Sequence, residues 1–327
     1  MNSSSAAQTR CAALLFRRVG DSLLATAALR AVKLWNPAAQ ITVFTESHVQ
    51  RVFAGLEYVD NIVDCGSSPT AFALAGLMRR HGPFEYSMDF LSDPRSALAC
   101  MLSPARHRAG FQKFPRDLIY THRVARQDRD GPIYSGLHKL GLARALGAPW
   151  CDSLPEFHVT PENELVAATL LAERGFTAQS FAAFFVTSRR EYKRWPLEDF
   201  AQVAHAVRDG FAMKVAVIGN AAERAEIERF TRIANLDPAA HFEFSDLGEM
   251  AALLKLARLY VGNDGGPKHL AVAVGTPTLT IFQNDPWEYW TPPHSPQHLA
   301  IADATGRPSA EAAIAGLKRM VSRFGNA

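Results

Sequence analysis

Apolar positions along the chain alternate between two spacings. Short continuous apolar runs recur, and each is followed by a stretch with apolar residues every three or four positions. The first pattern reads as a buried strand and the second as an amphipathic helix. In the first half the runs predict strands over 11–16, 41–44, 61–65 and 85–89, and helices over 22–35, 48–54 and 70–81. Periodicity weakens over 103–135, which carries Pro104, Pro115, Gly131 and Pro132, and a helix returns over 135–146. The second half predicts helices over 162–174, 197–208, 222–234, 250–257, 267–274 and 309–323. Between them it predicts strands over 181–186, 214–218, 242–244, 259–261 and 278–282.

Strands that alternate with helices argue for βαβ units on parallel sheets. The stretch Ala148-Pro-Trp-Cys-Asp-Ser-Leu-Pro155 is the linker candidate. The reading is two α/β, doubly wound domains, residues 1–155 and 156–327, with a closing helix at about 309–323 free to pack back on the N-terminal half. Ligands of such sheets sit at the carboxyl ends of strands, and two facing halves would make a cleft.

Length and composition agree. At about 150 residues per domain, 327 residues make roughly two domains with ample core. Apolar residues at 48% and charged residues at 20% exclude a disordered, collagenous or coiled-coil chain. No window is apolar enough for a membrane span. The polar opening, Met1 to Arg10, lacks a signal-peptide core, so a cytosolic protein is expected. The four cysteines are far apart and form no C-x-x-C, so reduced, mostly buried thiols are expected rather than a zinc or redox site.

Four segments carry candidate chemistry, all where a strand meets a helix. Val261-Gly-Asn-Asp-Gly-Gly-Pro-Lys-His269 ends a strand and starts a helix. Glycines there let backbone N–H groups approach a ligand, and Lys268 and His269 add positive charge suited to phosphate. Equally, Asp264 could simply cap the helix. Thr187-Ser-Arg-Arg-Glu-Tyr-Lys-Arg-Trp-Pro196 places two hydroxyls and four cations at a strand exit, a set that suits a diphosphate or a solvated basic loop. Gly219-Asn-Ala-Ala-Glu223 offers a carboxylate for ribose hydroxyls, or a favourable charge in a first helical turn. Arg17-Arg-Val-Gly-Asp-Ser22 has Asp21 as its single carboxylate, either a base or a helix cap.

Neither G-x-G-x-x-G nor the P-loop pattern occurs. Asp128-Arg-Asp130 spells a metal-binding D-x-D but follows no strand. His294 and His298 are four apart among prolines that preclude a shared helix face. No metal is expected.

Net charge is only +3, but it is unevenly spread. From Arg95 to Arg126 seven basic residues (Arg95, Arg106, Arg108, Lys113, Arg116, Arg123, Arg126) stand against one acid, Asp117. Such a surplus attracts anions, unless it is merely a solvated face.

Three motifs in this order resemble glycosyltransferase family 9, the ADP-heptose:lipopolysaccharide heptosyltransferases: Arg18-Val-Gly-Asp-Ser-Leu23, Lys193-Arg-Trp-Pro196, and Asp264-Gly-Gly-Pro-Lys-His-Leu-Ala-Val-Ala-Val-Gly-Thr-Pro277. The resemblance covers nearly the whole chain. It implies a GT-B fold with acceptor bound by the N-terminal domain and sugar nucleotide by the C-terminal domain. By position it implies that Asp21 is the catalytic base of an inverting transfer, and that Thr187, Ser188 and Lys193 bind the donor diphosphate. Glu223 would contact ribose or sugar, and Asp264, Gly265, Gly266 and His269 would hold sugar and phosphates.

It implies ADP-heptose as co-substrate with no cofactor or metal, and a lipopolysaccharide core acceptor. Arg18, Arg106, Arg108, Lys113 and Arg116 would then bind the acceptor, and the basic run from Arg95 to Arg126 would give peripheral contact with the inner membrane leaflet. No nucleic-acid partner is expected. Two positions depart from the pattern: Gly265 stands where the family usually has Thr or Ser, and Gln283-Asn-Asp-Pro286 replaces G-x-T-x-P. Three functions follow in order: the heptosyltransferase, a same-family enzyme with another nucleotide sugar or a protein acceptor, and a non-catalytic nucleotide-sugar binder.

Overall fold

The computed structural model describes residues 9–16, 18–125 and 133–324. Arg17, Arg126 and the Asp128–Asp130 motif lie outside them. The chain divides into two compact units, Met1–His158 and Val159–Ala327.

The N-terminal unit holds strands β1 (Arg10–Leu14), β2 (Gln40–Thr45), β3 (Asn61–Asp64), β4 (Tyr86–Asp89), β5 (His107–Phe111) and β6 (His122–Val124). Its helices are α1 (Val19–Trp35), α2 (Ala71–His81), α3 (Pro94–Leu102) and α4 (Ser135–Ala145). All neighbouring strands are parallel, in the order β3-β2-β1-β4-β5-β6. The chain therefore reverses direction across the sheet between β1 and β4, which makes that point the crevice where such a sheet takes ligands.

The C-terminal unit repeats the plan with strands β7 (Phe181–Phe185), β8 (Lys214–Gly219), β9 (His241–Glu243), β10 (Leu259–Asn263), β11 (Thr278–Ile281) and β12 (His298–Ile301). Its helices are α5 (Pro161–Glu173), α6 (Leu197–Phe211), α7 (Arg224–Ile233), α8 (Leu247–Leu256), α9 (Gly266–Ala273), α10 (Trp287–Trp290) and α11 (Ala310–Phe324). The order β12-β11-β10-β7-β8-β9, again parallel, is the first sheet's topology counted from its own first strand. Its switch point lies between β7 and β10.

Each sheet is covered by helices, so its central strands are apolar without alternation; every residue of β7 is buried. One core gathers Phe184, Trp195, Phe200, Phe230, Leu279 and Leu317. The other gathers Leu14, Phe44, Leu74, Met78 and Phe84. The closing helix buries Ala313, Leu317 and Met320 in the core of its own unit. Cys11, Cys65 and Cys100 are buried thiols and Cys151 is half-buried.

Five of the named strands and helices escape the hydrophobic pattern: α3, β5, β6, α10 and β12. Helix α3 is capped by Asp93, whose carboxylate accepts from Ser96 N–H at 2.8 Å, and it buries small residues (Ser96, Ala97, Ala99, Cys100) rather than an aliphatic stripe. Strand β5 lies next to the sheet edge and carries His107, Arg108 and Gly110. A Cβ at Gly110 would fall 2.3 Å from the Tyr120 ring, whose hydroxyl donates to buried Asp89 at 2.6 Å. Strands β6 and β12 are short edges, where one unpaired flank relaxes the demand for apolar residues.

Candidate functional site

In the N-terminal unit β1 delivers the chain to α1. Arg18 occupies the cap position in extended conformation, and no side chain caps the helix. Asp21 lies inside the first turn, and its Oδ1 accepts from the Lys139 ammonium at 3.2 Å. Lys139 is buried on α4, and the same ammonium donates to Ser135 Oγ at 2.8 Å. The arrangement follows from helix geometry: Ser135 and Lys139 are four apart, so they share the α4 face turned toward α1. Asp21 remains partly open, with its side chain 40% exposed. It therefore keeps one oxygen near solvent, while a buried cation fixes the other. Reading the sequence alone missed Lys139, because a lysine in a helix ordinarily marks the solvent face.

The candidate basic residues lie elsewhere on this unit. Arg106 precedes β5, Arg108 is within it, and Lys113 and Arg116 are in the turn that follows. Arg108 is spent on structure, donating to Ile119 O and Ala105 O at 2.9 Å each. Arg106, Lys113 and Arg123 are exposed, as are Phe114 and Leu118 between them.

In the C-terminal unit the candidates converge on the switch point. Strand β7 ends just before Thr187 and Ser188, both buried, and β10 ends at Asn263, just before Asp264. Asn263 ties the two exits together. Its side-chain Nδ2 donates to Val186 O at 3.0 Å and Thr187 O at 3.2 Å, and its side-chain Oδ1 accepts from Trp195 N–H at 3.1 Å. Trp195 is buried, with its indole N–H on Pro308 O at 2.9 Å. Thus the Lys-Arg-Trp-Pro motif drives its tryptophan into the core, and Lys193 is left at the site.

Glu223 joins this group. It closes a capping box with Asn220 at the start of the helix after β8, and its other oxygen accepts from the Thr187 hydroxyl. One carboxylate thus serves both the cap and the Thr187 hydroxyl. Ser188 Oγ accepts from Arg190 N–H at 3.3 Å.

Asp264 is not a cap. Gly265 holds that position, and the Asp264 carboxylate turns inward. Its Oδ2 accepts from Lys193 at 2.7 Å, its Oδ1 lies 3.1 Å from the Lys268 ammonium, and His269 Nε2 is 3.8 Å away. Burial alone would raise its pKa, but the charges of Lys268, His269 and Lys193 prevail and hold it far below the usual carboxylate range. Lys268 is fully buried and also donates to Trp290 O at 2.5 Å; burial pulls its pKa down. Asp264 consequently stays ionised, clamped from both sides. Burial likewise opposes the charge on Lys193, but Asp264 and Asp285 outweigh it and the net shift is upward.

Asp285, in the loop after β11, makes an ion pair with Lys193. The sequence reading noted the unusual segment around it but assigned it no role. Gly265 has open space: a Cβ there would meet Pro267 Cδ at 3.9 Å and nothing closer. His269 is buried with its ring edge-on to Trp290 at 5.8 Å. Among the described residues no group of His, Cys, Asp or Glu is placed to hold a metal ion, and no helix is long and apolar enough to cross a membrane.

Comparison with known proteins bears on the family and the fold. A curated relative, lipopolysaccharide heptosyltransferase 3 of Escherichia coli K12, is 29% identical over 111 residues, 32% of this chain and 31% of that one. The chain thus matches about a third of that relative's length. The solved glycosyl transferase family 9 protein of Veillonella parvula superposes with a TM-score of 0.81 at 17% identity, covering 97% of both chains. Escherichia coli heptosyltransferase WaaC, solved with ADP-2-deoxy-2-fluoro heptose, gives 0.72 at 16% identity, covering 95% of this chain and 99% of that one. At those identities the likeness is one of fold. The family model for glycosyltransferase family 9 (heptosyltransferase) matches residues 81–312, well over half of the sequence, and the chain belongs to that family.

Proposed function

We propose that this chain is an inverting glycosyltransferase that moves heptose from ADP-heptose to a lipopolysaccharide inner-core acceptor, with Asp21 as base and no metal ion in the step. The observation that carries this reading is the convergence of Thr187, Glu223, Lys193 and Asp264 on the switch point between β7 and β10. Hydroxyls and an ammonium at the carboxyl ends of parallel strands suit the diphosphate of a sugar nucleotide.

In the proposed step the acceptor oxygen attacks the anomeric carbon. The bond from that carbon to the diphosphate oxygen breaks, and its electron pair leaves with the diphosphate, whose charge Lys193 stabilises. Asp21 takes the acceptor proton. Lys139, itself held by Ser135, fixes one carboxylate oxygen so that the other meets the hydroxyl. ADP-heptose is favoured by the family and by the donor analogue in the WaaC structure. The test is transfer from ADP-heptose to a heptose-deficient core, followed by mass spectrometry. Product from the wild-type chain and none from Asp21→Asn supports the reading; equal product from both overturns it.

One observation favours a second reading. Gly265 leaves open space beside the site where the family usually carries a hydroxyl, which suits a different sugar on the same nucleotide. Competition among ADP-sugars separates the two.

The acceptor reading extends to an anionic bilayer surface. Arg106, Lys113 and Arg123 are exposed beside Phe114 and Leu118 at one edge of the N-terminal unit. Each basic group near such a surface adds about 1 kcal/mol of attraction. Vesicle sedimentation and an acceptor KM both unchanged in the triple charge reversal of those three residues would remove this part of the proposal.

A further inference from the structure

The proposed diphosphate ligand, Lys193, already has partners. Its ammonium is bonded to Asp264 and paired with Asp285, and its side chain is 14% exposed. The two carboxylates differ in what else holds them. Asp264 is buried and has a second cation, Lys268, on its other oxygen. If Lys193 moved away, Asp264 would keep a counter-ion. Asp285 sits on the loop between β11 and α10, and the ion pair that places it is the one with Lys193. Its side chain is 14% exposed, and with Asn284, Trp287, Asp303 and Gly306 it lines an adjoining cavity of about 620 Å³. Counted formally, Lys193 and Lys268 balance Asp264 and Asp285, so these four groups together offer no net positive charge to a ligand that carries several negative charges.

We infer that Asp285 is a displaceable counter-ion for Lys193: it pairs with the ammonium until a diphosphate takes its place, and then swings into the adjoining cavity. This rests on the reading of Lys193 as the diphosphate ligand. Asp285 then sets affinity and selectivity. A ligand must bring enough negative charge to replace a carboxylate, which a diphosphate does and an uncharged nucleoside does not. Displacement also weakens the hold on the product nucleotide, because Asp285 returns as the diphosphate leaves. The departure of the Gln283-Asn-Asp-Pro286 segment from the family pattern thereby acquires a consequence.

The test is calorimetric titration of the full chain and of Asp285→Asn with ADP, inorganic pyrophosphate and adenosine. Glu288→Gln serves as a control that removes one exposed negative charge nearby without touching Lys193. The expected result is ADP and pyrophosphate binding about tenfold tighter in Asp285→Asn, the scale of one partly desolvated ion pair. Adenosine should be unchanged, and Glu288→Gln should match the wild type. In turnover, kcat should fall as product release slows, and KM for the donor should fall with it.

Equal ADP affinity in wild type and Asp285→Asn overturns the inference and leaves the diphosphate reading standing. Weaker ADP binding in the variant also overturns it, since Asp285 would then orient Lys193 for the ligand. Unchanged ADP with weakened ADP-heptose binding overturns it in favour of a sugar contact. No binding of ADP, GDP, UDP or pyrophosphate by either chain overturns both the inference and the reading beneath it.

Discussion

The two units share one strand order but differ sharply in what gathers at the switch point. In the C-terminal unit two strand exits are stitched together by Asn263, and Lys193, Asp264, Lys268, His269 and Asp285 form a dense charged cluster. In the N-terminal unit α1 begins with a single carboxylate held by one buried lysine. The second arrangement leaves Asp21 accessible on one side. The first clamps its carboxylate, Asp264, on both. A carboxylate that must exchange a proton needs an open oxygen, whereas one that orients cations must stay ionised. On the proposed reading the same topology serves two tasks, one chemical and one of charge placement.

The comparison breaks most visibly at Asp21. Asp21→Asn is expected to slow transfer by about 10²–10⁴-fold, the usual worth of a general base. ADP affinity, set in the other unit, should not change. Steady-state kinetics beside calorimetry checks this, and a matching loss of ADP binding would erase the division of labour.

Lys139 sharpens the N-terminal half of the comparison. Lys139→Met should lower kcat by about tenfold or more, because it leaves the carboxylate without its fixed partner. The donor KM should hold, and Lys139→Arg should recover part of the rate. A merely structural lysine would lower thermal stability in both variants with no such split.

In the C-terminal unit, Lys193→Ala should cost about 1.5–3 kcal/mol of ADP binding, the worth of a charge-assisted bond, with transfer by a saturated enzyme less affected. His298 offers a test through pH. Burial depresses its pKa to about 4, and Lys268 adds to the effect. The folded state therefore excludes a proton that the unfolded chain accepts near pH 6.5. Its contribution to stability is full above about pH 6.5, is lost as pH falls toward 4, and amounts to a few kcal/mol at most. Denaturant unfolding across that window should show the loss, and His298→Gln should flatten it. The smallest effect is expected at Gly265, where Gly265→Ser has room for its side chain and should leave stability within about 0.5 kcal/mol. Any change in sugar preference would then come from the restored hydroxyl.

How much of this was legible in the sequence divides along the same line. Parallel sheets buried on both faces announce themselves as apolar runs, so β7, β8 and β10 stood out. Strands at or beside an edge did not: His107–Phe111 and His298–Ile301 carry polar residues, and α3 buries small residues with no periodic stripe. At the sites, residues inside family motifs were readable because strand–turn–helix spacing fixes where they project. Lys139 and Asp285 were not. Lys139 comes from a helix distant in sequence from Asp21. Asp285 comes from a loop whose spacing departs from the pattern, and only the packed chain brings it to Lys193. The basic run was legible as composition but not as use, since Arg95 and Arg108 are drawn into hydrogen bonds with the backbone of their own unit.

The central claim is that the C-terminal switch point is a nucleoside-diphosphate site built around Lys193. Titration of ADP, GDP and UDP into the wild-type chain tests it most directly. The account predicts saturable heat with ADP and weak or no response to the other two. At about a hundred times Kd this binding would also stabilise the fold by about 2.7 kcal/mol. Preference for GDP or UDP would contradict the ADP-heptose assignment, and silence toward all three would contradict the site itself.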